Sequence, residues 1–300
     1  MGLNEARSAN LATTGTGRQY HIELAPGEVA QDILLVGDPA RVNLAAELFG
    51  SIELRRENRE YASITGRRGT KRTTVLSTGI GPGNMEIAVI ELAQCVDRPT
   101  MIRSGSCGAI QPDIGVGDFV ISQAAYRLEN TSLHFIGEGY PAVTSPEVFF
   151  ALVQAAEGTG VRYHTGITAT ASGFYGAQGR PIPGFPPRGD GVIDDLQRQG
   201  VKNLEMEIST LFSLATLGGF RAGAVCAVFG SRHSNAVVRP EEKHLLERRC
   251  VEIGLNAFDA LAKLDRARGN RPCWHPGLQA EPAMRPRSRP RITRLRSSAH

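Results

Sequence analysis

The sequence has few features of membrane or secreted proteins. No apolar run is long enough to cross a bilayer. The N-terminal stretch MGLNEARSANLATTGTGRQ has no apolar segment like that of a secretory signal. Ala6 stands where a myristoylation motif needs serine or threonine. These absences predict a cytoplasmic protein without a membrane partner.

Cysteine is also scarce and poorly spaced for metal or disulfide chemistry. The chain holds five cysteines, an odd number, with no CxxC pair and no His/Cys cluster at zinc spacing. We therefore expect reduced, mostly buried thiols and no metal ion bound by them. These cysteines are Cys95, Cys107, Cys226, Cys250 and Cys273.

Two nucleotide-binding signatures are absent as well. The glycine-rich stretch GIGPG is not followed by GK[ST], so it is not a Walker loop. No acidic residue about twenty positions later completes a Rossmann fingerprint. Neither a P-loop nor a dinucleotide site is predicted.

Acidic residues are nearly missing from the C-terminal end. Residues 266–300 hold nine arginines and one acid, a net charge of +8, which leaves −4 of the total +4 on residues 1–265. This end is rich in proline and has no apolar period, so we predict a disordered basic tail over 266–300 without a specific nucleic-acid partner. We also predict a flexible N-terminus over residues 1–19 and one catalytic domain over 20–265.

What the sequence does contain is an alternation of strands and helices. Short apolar runs at Ile33–Val36, Thr73–Leu76 and Ala222–Phe229 are typical of buried strands. Helical patterns separate them, and a charged amphipathic helix is predicted over about 240–264. This order predicts an α/β fold, a central mixed β-sheet flanked by helices.

Arginines and small residues follow several of these strands. Arg41 comes after GDPA in the first turn of a helix, Arg103 precedes SGSCGA, and Arg59 lies in RENRE. Small residues let backbone N–H groups approach an anion, and a helix N-terminus and guanidinium groups add positive potential. Together they predict a phosphate site, whereas each arginine alone is compatible with a surface salt bridge.

The segment NLEMEIST carries paired acids where a helix is predicted to begin, near Met206. A carboxylate such as that of Glu207 can accept the two hydrogen bonds that vicinal sugar hydroxyls donate, and a methionine offers a soft surface for a sugar ring. The alternative is that Glu205 and Glu207 only complement the positive end of the helix dipole.

The loop FYGAQGR combines an aromatic ring, a glutamine and an arginine among small residues. Phe174 is suited to cover the face of a planar ligand while Gln178 and Arg180 read its edge. The alternative is a solvated surface loop.

These motifs occur in a fixed order over residues 20–265: VGDPARV, STGIGPG, RSGSCGAIQPDIGVGD, SLHF, FYGAQGR, NLEMEISTLF and GAVCAVFGSR. In this order the chain resembles the nucleoside phosphorylase family, and within it the uridine-cleaving branch. The resemblance implies a nucleoside phosphorylase-like fold and a pentosyltransferase. Its implied reaction is phosphorolysis of uridine and related pyrimidine nucleosides to uracil and ribose 1-phosphate, in nucleoside salvage, with phosphate as co-substrate and no cofactor.

The resemblance also implies residue roles. The phosphate group would be held by Gly37, Arg41, Arg59, Arg103 and Ser106. The ribose would be held by His21, Met206 and Glu207. The base would be held by Cys107, Gly108, Phe174, Gln178, Arg180 and Arg232. Catalysis would depend most on Arg41, Arg103, Gln178, Arg180 and Glu207. Because Arg59 and His21 would reach a neighbouring subunit's site, a homo-oligomer, dimer or hexamer, is expected, with a monovalent cation such as potassium near Glu60 and Ser77.

Three alternatives remain. A purine nucleoside phosphorylase would use an aspartate near the FGSR strand end, where this chain has none. A nucleosidase would lack the phosphate arginines, and a non-catalytic nucleoside sensor would have a degraded pocket. Departures from the family pattern at Gly81-Pro82-Gly83, Cys107 and Gly230, and the proline-rich loop after Arg180, affect the expected substrate range more than the reaction type.

Overall fold

The computed structural model describes residue 10 and residues 12–189 and 191–279. The helices are α1 (Ala40–Ala46), α2 (Pro82–Cys95), α3 (Pro146–Thr159), α4 (Val192–Arg198), α5 (Ile208–Gly218) and α6 (Pro240–Arg268). The strands are β1 (Asp32–Val36), β2 (Ser51–Asn58), β3 (Tyr61–Arg68), β4 (Lys71–Ser77), β5 (Thr100–Ala109), β6 (Phe119–Leu128), β7 (Ala142–Val143), β8 (Tyr163–Ala171), β9 (Asn203–Glu205), β10 (Arg221–Ser231) and β11 (Ala236–Val237). Among these described residues, no helix is both long and apolar enough to cross a membrane.

Strand β1 lies in the middle of a mixed sheet and is buried on both faces. It runs parallel to β4 on one side and to β5 on the other. Because side chains of a strand alternate in direction, Ile33 and Leu35 enter one hydrophobic core while Leu34 and Val36 enter a second. The first core also holds α2 and α5, and the second holds α1, α3 and α6. The predicted α/β fold with a central mixed sheet is confirmed.

The sheet also closes on itself, which the strand pattern did not predict. From β5 the hydrogen-bonded path runs through β10, β6, β8 and β9 and returns to β5. Strand β1 stops pairing with β5 at Ser104, and β9 starts pairing with the same edge at Gly108. The residues of β5 between these two pairings therefore have a free edge. Ser106 and Cys107 lie in that gap and line a cavity described below.

The C-terminal segment packs on the body of the protein. Helix α6 continues to Arg268, and Trp274 and Leu278 are buried in the same core as α6. The Trp274 ring lies 5.3 Å from that of Phe150. The predicted disorder from residue 266 is therefore wrong for 266–279, because two large apolar side chains bury enough surface to fix the segment. Residues 280–300 of the predicted tail lie outside the described residues.

The described part of the N-terminal segment contacts the body. Arg18 pairs with Glu28 at 2.5 Å, and Thr13 bridges to Gln19. Residues 1–9 and 11 of the predicted flexible segment lie outside the described residues, and the flexibility of 1–19 stays a prediction.

Candidate active site

One cavity of about 1050 Å³ lies where β1, β4, β5, β9 and β10 end. Ligands of open α/β sheets bind at such strand ends, because the loops that follow the strands converge there. Most of the predicted site residues line this cavity. They are Gly37, Arg41, Glu60, Arg103, Ser106, Cys107, Gly108, Phe174, Gln178, Arg180, Met206, Glu207 and Arg232.

The two glycine turns after β1 and β4 meet at one end of the cavity. The Gly79 N–H donates to the carbonyl oxygen of Gly37 at 3.0 Å. A methyl group on Gly37 would lie 3.6 Å from the Gly79 oxygen and 3.7 Å from Nη2 of Arg103. Glycine therefore leaves room beside the Arg103 guanidinium, and an anion there would meet backbone groups directly.

Arg103 is the buried cation of this end. Its Nη2 donates to Glu207, and its Nε lies 3.6 Å from Oε2 of Glu205. Among the described residues, Nε and Nη1 have no hydrogen-bond partner although both are buried. Burial opposes the charge of Arg103, but the carboxylates of Glu207 and Glu205 outweigh burial and raise its pKa. Buried N–H groups without an acceptor are costly, so this guanidinium is ready for an anionic ligand.

The two acids of NLEMEIST have different places in the structure. Glu205 is the last residue of β9, and helix α5 begins at Ile208, two residues later than predicted. The Glu205 carboxylate accepts from the N–H groups of Glu207 at 2.7 Å and Ile208 at 3.0 Å, and from Thr170 Oγ1 at 2.5 Å. It thus caps the helix start, as the alternative reading expected of both acids.

Glu207 lines the cavity beside Glu205, and its Oε1 accepts the Gly81 N–H at 2.6 Å. Its other oxygen accepts from Arg103. Burial, and then the charge of Glu207, raise the pKa of Glu205 to about 7. Both acids therefore border the cavity, but Glu205 caps the helix start while Glu207 contacts Arg103 and the Gly81 turn.

The opposite end of the cavity is built from the loop after β8 and from Arg232. Phe174 is 49% exposed, and the Arg180 guanidinium lies 4.1 Å from its ring centroid. Gln178 is buried. Its Oε1 accepts from Nη2 of Arg180 at 3.4 Å, and its backbone oxygen accepts from Nη1 of Arg232 at 2.9 Å. FYGAQGR is thus a cavity wall rather than a fully solvated loop.

The two arginines of this end also affect each other. Burial lowers the pKa of Arg180, and the charge of Arg232 adds to the effect. Burial lowers the pKa of Arg232 as well. Neither contacts a carboxylate in any described ion pair, unlike Arg103 at the other end. A hydrogen-bond acceptor with developing negative charge would offset both the burial of these two charges and their mutual repulsion.

Three predicted residues do not line the cavity of this single chain. His21 Nδ1 lies 2.6 Å from Oε1 of Glu91, and Arg59 is exposed at the β2–β3 turn, where its φ is 57°. Ser77 Oγ donates to the Glu60 carbonyl oxygen at 2.6 Å and accepts the Ala62 N–H at 2.7 Å. The expected contributions of His21 and Arg59 to a neighbouring site stay predictions.

The expected monovalent cation near Glu60 and Ser77 would lie at an interface between subunits. The Ser77 hydroxyl donates one hydrogen bond and accepts another within this chain, to and from the backbone of Glu60 and Ala62. Over the described residues, no group of three or more His, Cys, Asp or Glu side chains could hold a metal ion. Potassium near Glu60 and Ser77 stays a prediction without a ligand set.

Some cavity residues were missed by the sequence analysis. Asn84 lies in the first turn of α2, and Lys243 lies in the first turns of α6. Asn84 could have been found, because a polar residue follows the glycine turn directly. Glu247 lies behind the cavity lining, where it holds Arg41, and it gave no local signal because the two are 206 residues apart along the chain.

The cavity thus joins two parts in one α/β protein. Buried arginine and glycine turns form an end suited to an anion, and an amide with two arginines forms a pocket suited to a planar polar group. A model of the Phosphorylase superfamily matches residues 31–262, and the chain belongs to this family. The predicted family, fold class and pentosyltransferase class are confirmed.

Similar proteins include uridine and guanosine phosphorylases. A uridine phosphorylase of Thermococcus kodakarensis is 44% identical over 91% of this chain and 98% of the relative. One of Salmonella typhimurium is 36% identical over 79% of this chain and 96% of the relative. A guanosine phosphorylase of Halorubrum lacusprofundi is 34% identical over 81% and 99%.

Proposed function

We propose that this protein cleaves uridine by phosphorolysis, giving uracil and ribose 1-phosphate. The observation that carries the proposal is one cavity with two unlike ends. One end holds a buried arginine with two N–H groups that have no partner in the described part of the chain, and the other holds a buried glutamine flanked by two arginines. Uridine phosphorylases at 44% and 36% identity support the same reaction.

Phosphate would bind against Arg103 and Arg41. Gly37 leaves space beside Nη2 of Arg103, and Ser106 supplies a hydroxyl from the free edge of β5. Arg59 of a neighbouring subunit would add a further positive charge. Buried guanidinium groups bind phosphate strongly because forked, charge-assisted hydrogen bonds replace its hydration.

Ribose would lie between the two ends. Glu207 faces the cavity and would accept hydrogen bonds from the 2′ and 3′ hydroxyls, with Met206 against the ring. Binding would exchange the Gly81 N–H contact of Glu207 for ribose hydroxyls. His21 of the neighbouring subunit would reach the 5′ hydroxyl.

Uracil would lie at the Gln178 end, beside Cys107, Gly108 and Phe174. The uracil edge reads acceptor, donor, acceptor at O2, N3–H and O4. The Gln178 amide offers the complementary acceptor and donor to N3–H and O2. Arg180 would donate to O4, where negative charge grows as the base leaves.

The reaction needs no nucleophilic side chain. The bond between C1′ and N1 breaks, and its electron pair goes to the uracil ring while C1′ becomes cationic. A phosphate oxygen then forms the new C1′–O bond, and uracilate takes a proton from solvent. The chain contributes position, a phosphate anion held near the developing cation, and Arg180 near the developing anion.

The protein would act as a cytoplasmic homo-oligomer with shared sites. Support comes from Tyr20, His21 and Arg59, which lie together on the surface, with the Arg59 guanidinium 5.7 Å from the Tyr20 ring. Mixing inactive Arg59→Ala and Arg103→Ala chains should restore activity, since mixed oligomers would contain one intact site. No recovery in mixtures shown to exchange subunits would contradict site sharing.

The reaction is tested by measuring base release from uridine, inosine and guanosine with and without phosphate. Residues 229–232 (FGSR) hold no acid that could protonate a purine, so we expect phosphate-dependent release of uracil and little release of purines. Faster cleavage of guanosine than of uridine would favour a guanosine phosphorylase, as the Halorubrum relative is named. Phosphate-independent release would mean a hydrolase.

A further inference from the structure

A carboxylate from far along the chain holds the guanidinium of Arg41. Both Nε and Nη2 of Arg41 donate to Oε1 of Glu247 at 3.2 Å. The side chains of the pair are 6% and 10% exposed. Lys243, one turn earlier on α6, lies with Nζ 3.7 Å from the same oxygen and itself lines the cavity.

A negative charge next to a phosphate site needs an explanation. Glu247 would repel a phosphate anion bound at Arg41, and the repulsion is strong where water is excluded. The cluster of Arg41, Glu247 and Lys243 nevertheless carries a net charge of +1. Lys243 can therefore offset the carboxylate from its half-exposed position at the cavity wall.

The geometry of the contact indicates that Glu247 fixes the orientation of the Arg41 guanidinium. Both polar contacts of the Arg41 guanidinium, within the described part of the chain, involve its Nε–Nη2 edge. The ring of Phe229 covers the guanidinium at 5.5 Å. A long side chain fixed by an edge contact and a ring loses less freedom when it binds an anion.

We propose that Glu247 is a positioning residue for phosphate: it fixes Arg41 through the Nε–Nη2 edge and leaves Nη1 for the anion, while Lys243 offsets its charge. This inference rests on the proposed function. Positioning and simple repulsion predict opposite changes in phosphate affinity when Glu247 is removed. If Glu247 positions Arg41, removing it weakens phosphate binding; if Glu247 only repels, removing it strengthens phosphate binding.

The experiment compares Glu247→Ala with Glu247→Gln, varying phosphate and uridine separately. We expect Glu247→Ala to raise the KM for phosphate about tenfold, with kcat and the KM for uridine changed less than about twofold. Glu247→Gln should stay near wild type because its amide oxygen still accepts from Arg41. Glu252→Gln is the matched control, since Glu252 lies on the same helix and pairs with Arg248.

Two further variants separate the contributions. In an Arg41→Ala background, Glu247→Ala should not raise the KM for phosphate further, because positioning acts through Arg41. Lys243→Met should raise that KM about threefold at low salt and less at high salt, because exposed charges are screened. An unchanged or lower KM for phosphate in Glu247→Ala overturns the proposal, and an unchanged KM in Lys243→Met overturns the part assigned to lysine.

Calorimetric titration of wild type, Glu247→Ala and Glu247→Gln with inorganic phosphate gives a readout independent of turnover. Weaker binding by Glu247→Ala, with binding by Glu247→Gln near that of wild type, supports positioning. Equal binding overturns it. Wild-type protein that binds phosphate but cleaves no nucleoside would instead contradict the proposed function alone.

Discussion

The two ends of the cavity are built by different means. The anion end is a buried ionic cluster on strand ends, in which Arg103 contacts two carboxylates and Arg41 a third. The base end is a loop wall, in which Arg180 and Arg232 donate mainly to backbone oxygens beside a half-exposed ring. The difference shows that buried charges surround the place where phosphate would bind. Where the base would bind, the wall instead offers a shape and a pattern of hydrogen-bonding groups. We expect reaction rate to depend most on the first end and substrate choice on the second.

The largest effect is expected from Arg103→Ala. Its loss removes the phosphate donors and leaves Glu207 and Glu205 as buried, unpaired acids, so kcat/KM for uridine should fall about a thousandfold. Stability should fall by about 3–5 kcal/mol. Steady-state kinetics and urea unfolding measure the two effects.

Arg103→Lys keeps the positive charge, so it tests the loss of activity in a protein that is expected to stay folded. It should remain stable but lose most activity, because an ammonium lacks the forked donors. Arg98→Ala changes an exposed arginine and is the control. Wild-type activity in Arg103→Lys would break the account of the anion end.

The anion end should also respond to pH through Glu205. Its folded pKa of about 7 lies above the usual glutamate value of 4.5, so the native state holds the proton more tightly. This stability is fully present below about pH 4.5 and is lost as pH rises through 7. Relative to Glu205→Gln, wild type should lose about 3 kcal/mol of unfolding free energy between pH 5 and 8.

Urea unfolding of both proteins at several pH values tests this difference. Glu241→Gln, at an exposed position of α6, is the control and should run parallel to wild type. Parallel curves for wild type and Glu205→Gln would show that Glu205 has an ordinary pKa.

At the base end, Gln178→Ala should change substrate choice. The variant removes the partner of N3–H and O2, so kcat/KM for uridine should fall about a hundredfold while the low rate with inosine stays nearly constant. Parallel kinetics with both nucleosides measure this ratio. Gln199→Ala, at an exposed glutamine outside the cavity, should leave it unchanged. An equal loss on both nucleosides would place Gln178 outside base recognition.

The smallest effect is expected from Phe174→Ala. Loss of one stacking ring should raise the KM for uridine about tenfold or less, with a small change in kcat. Tyr175→Ala is the matched control, because Tyr175 is the neighbouring, more exposed aromatic and does not line the cavity. Equal effects of the two substitutions would mean that the loop, not the ring, matters.

Local sequence information predicted much of this molecule. Strand β1 was expected at Ile33–Val36 and is found at Asp32–Val36, because a short apolar run between turn residues has few other solutions. Arg41 and Arg103 were found because glycine turns and strand ends are visible in the sequence. The predicted start of α5 was two residues too early, because Glu205 belongs to the preceding strand and caps the helix from there.

The remaining features depend on distant contacts. Glu247 reaches Arg41 across 206 residues, and no local pattern specifies that pair. Trp274 lies in a stretch rich in polar and basic residues, yet it packs against Phe150 of α3. The closure of the sheet through β9 depends on a three-residue strand that is too short to be predicted from periodicity.

The most direct test of the central claim is phosphorus NMR of a mixture of wild-type protein, uridine and phosphate. If phosphate held at Arg103 attacks C1′, a ribose 1-phosphate resonance should appear in the same amount as free uracil, with an equal loss of inorganic phosphate. Uracil released together with free ribose, while the phosphate signal stays constant, would contradict the claim and make the cavity that of a hydrolase.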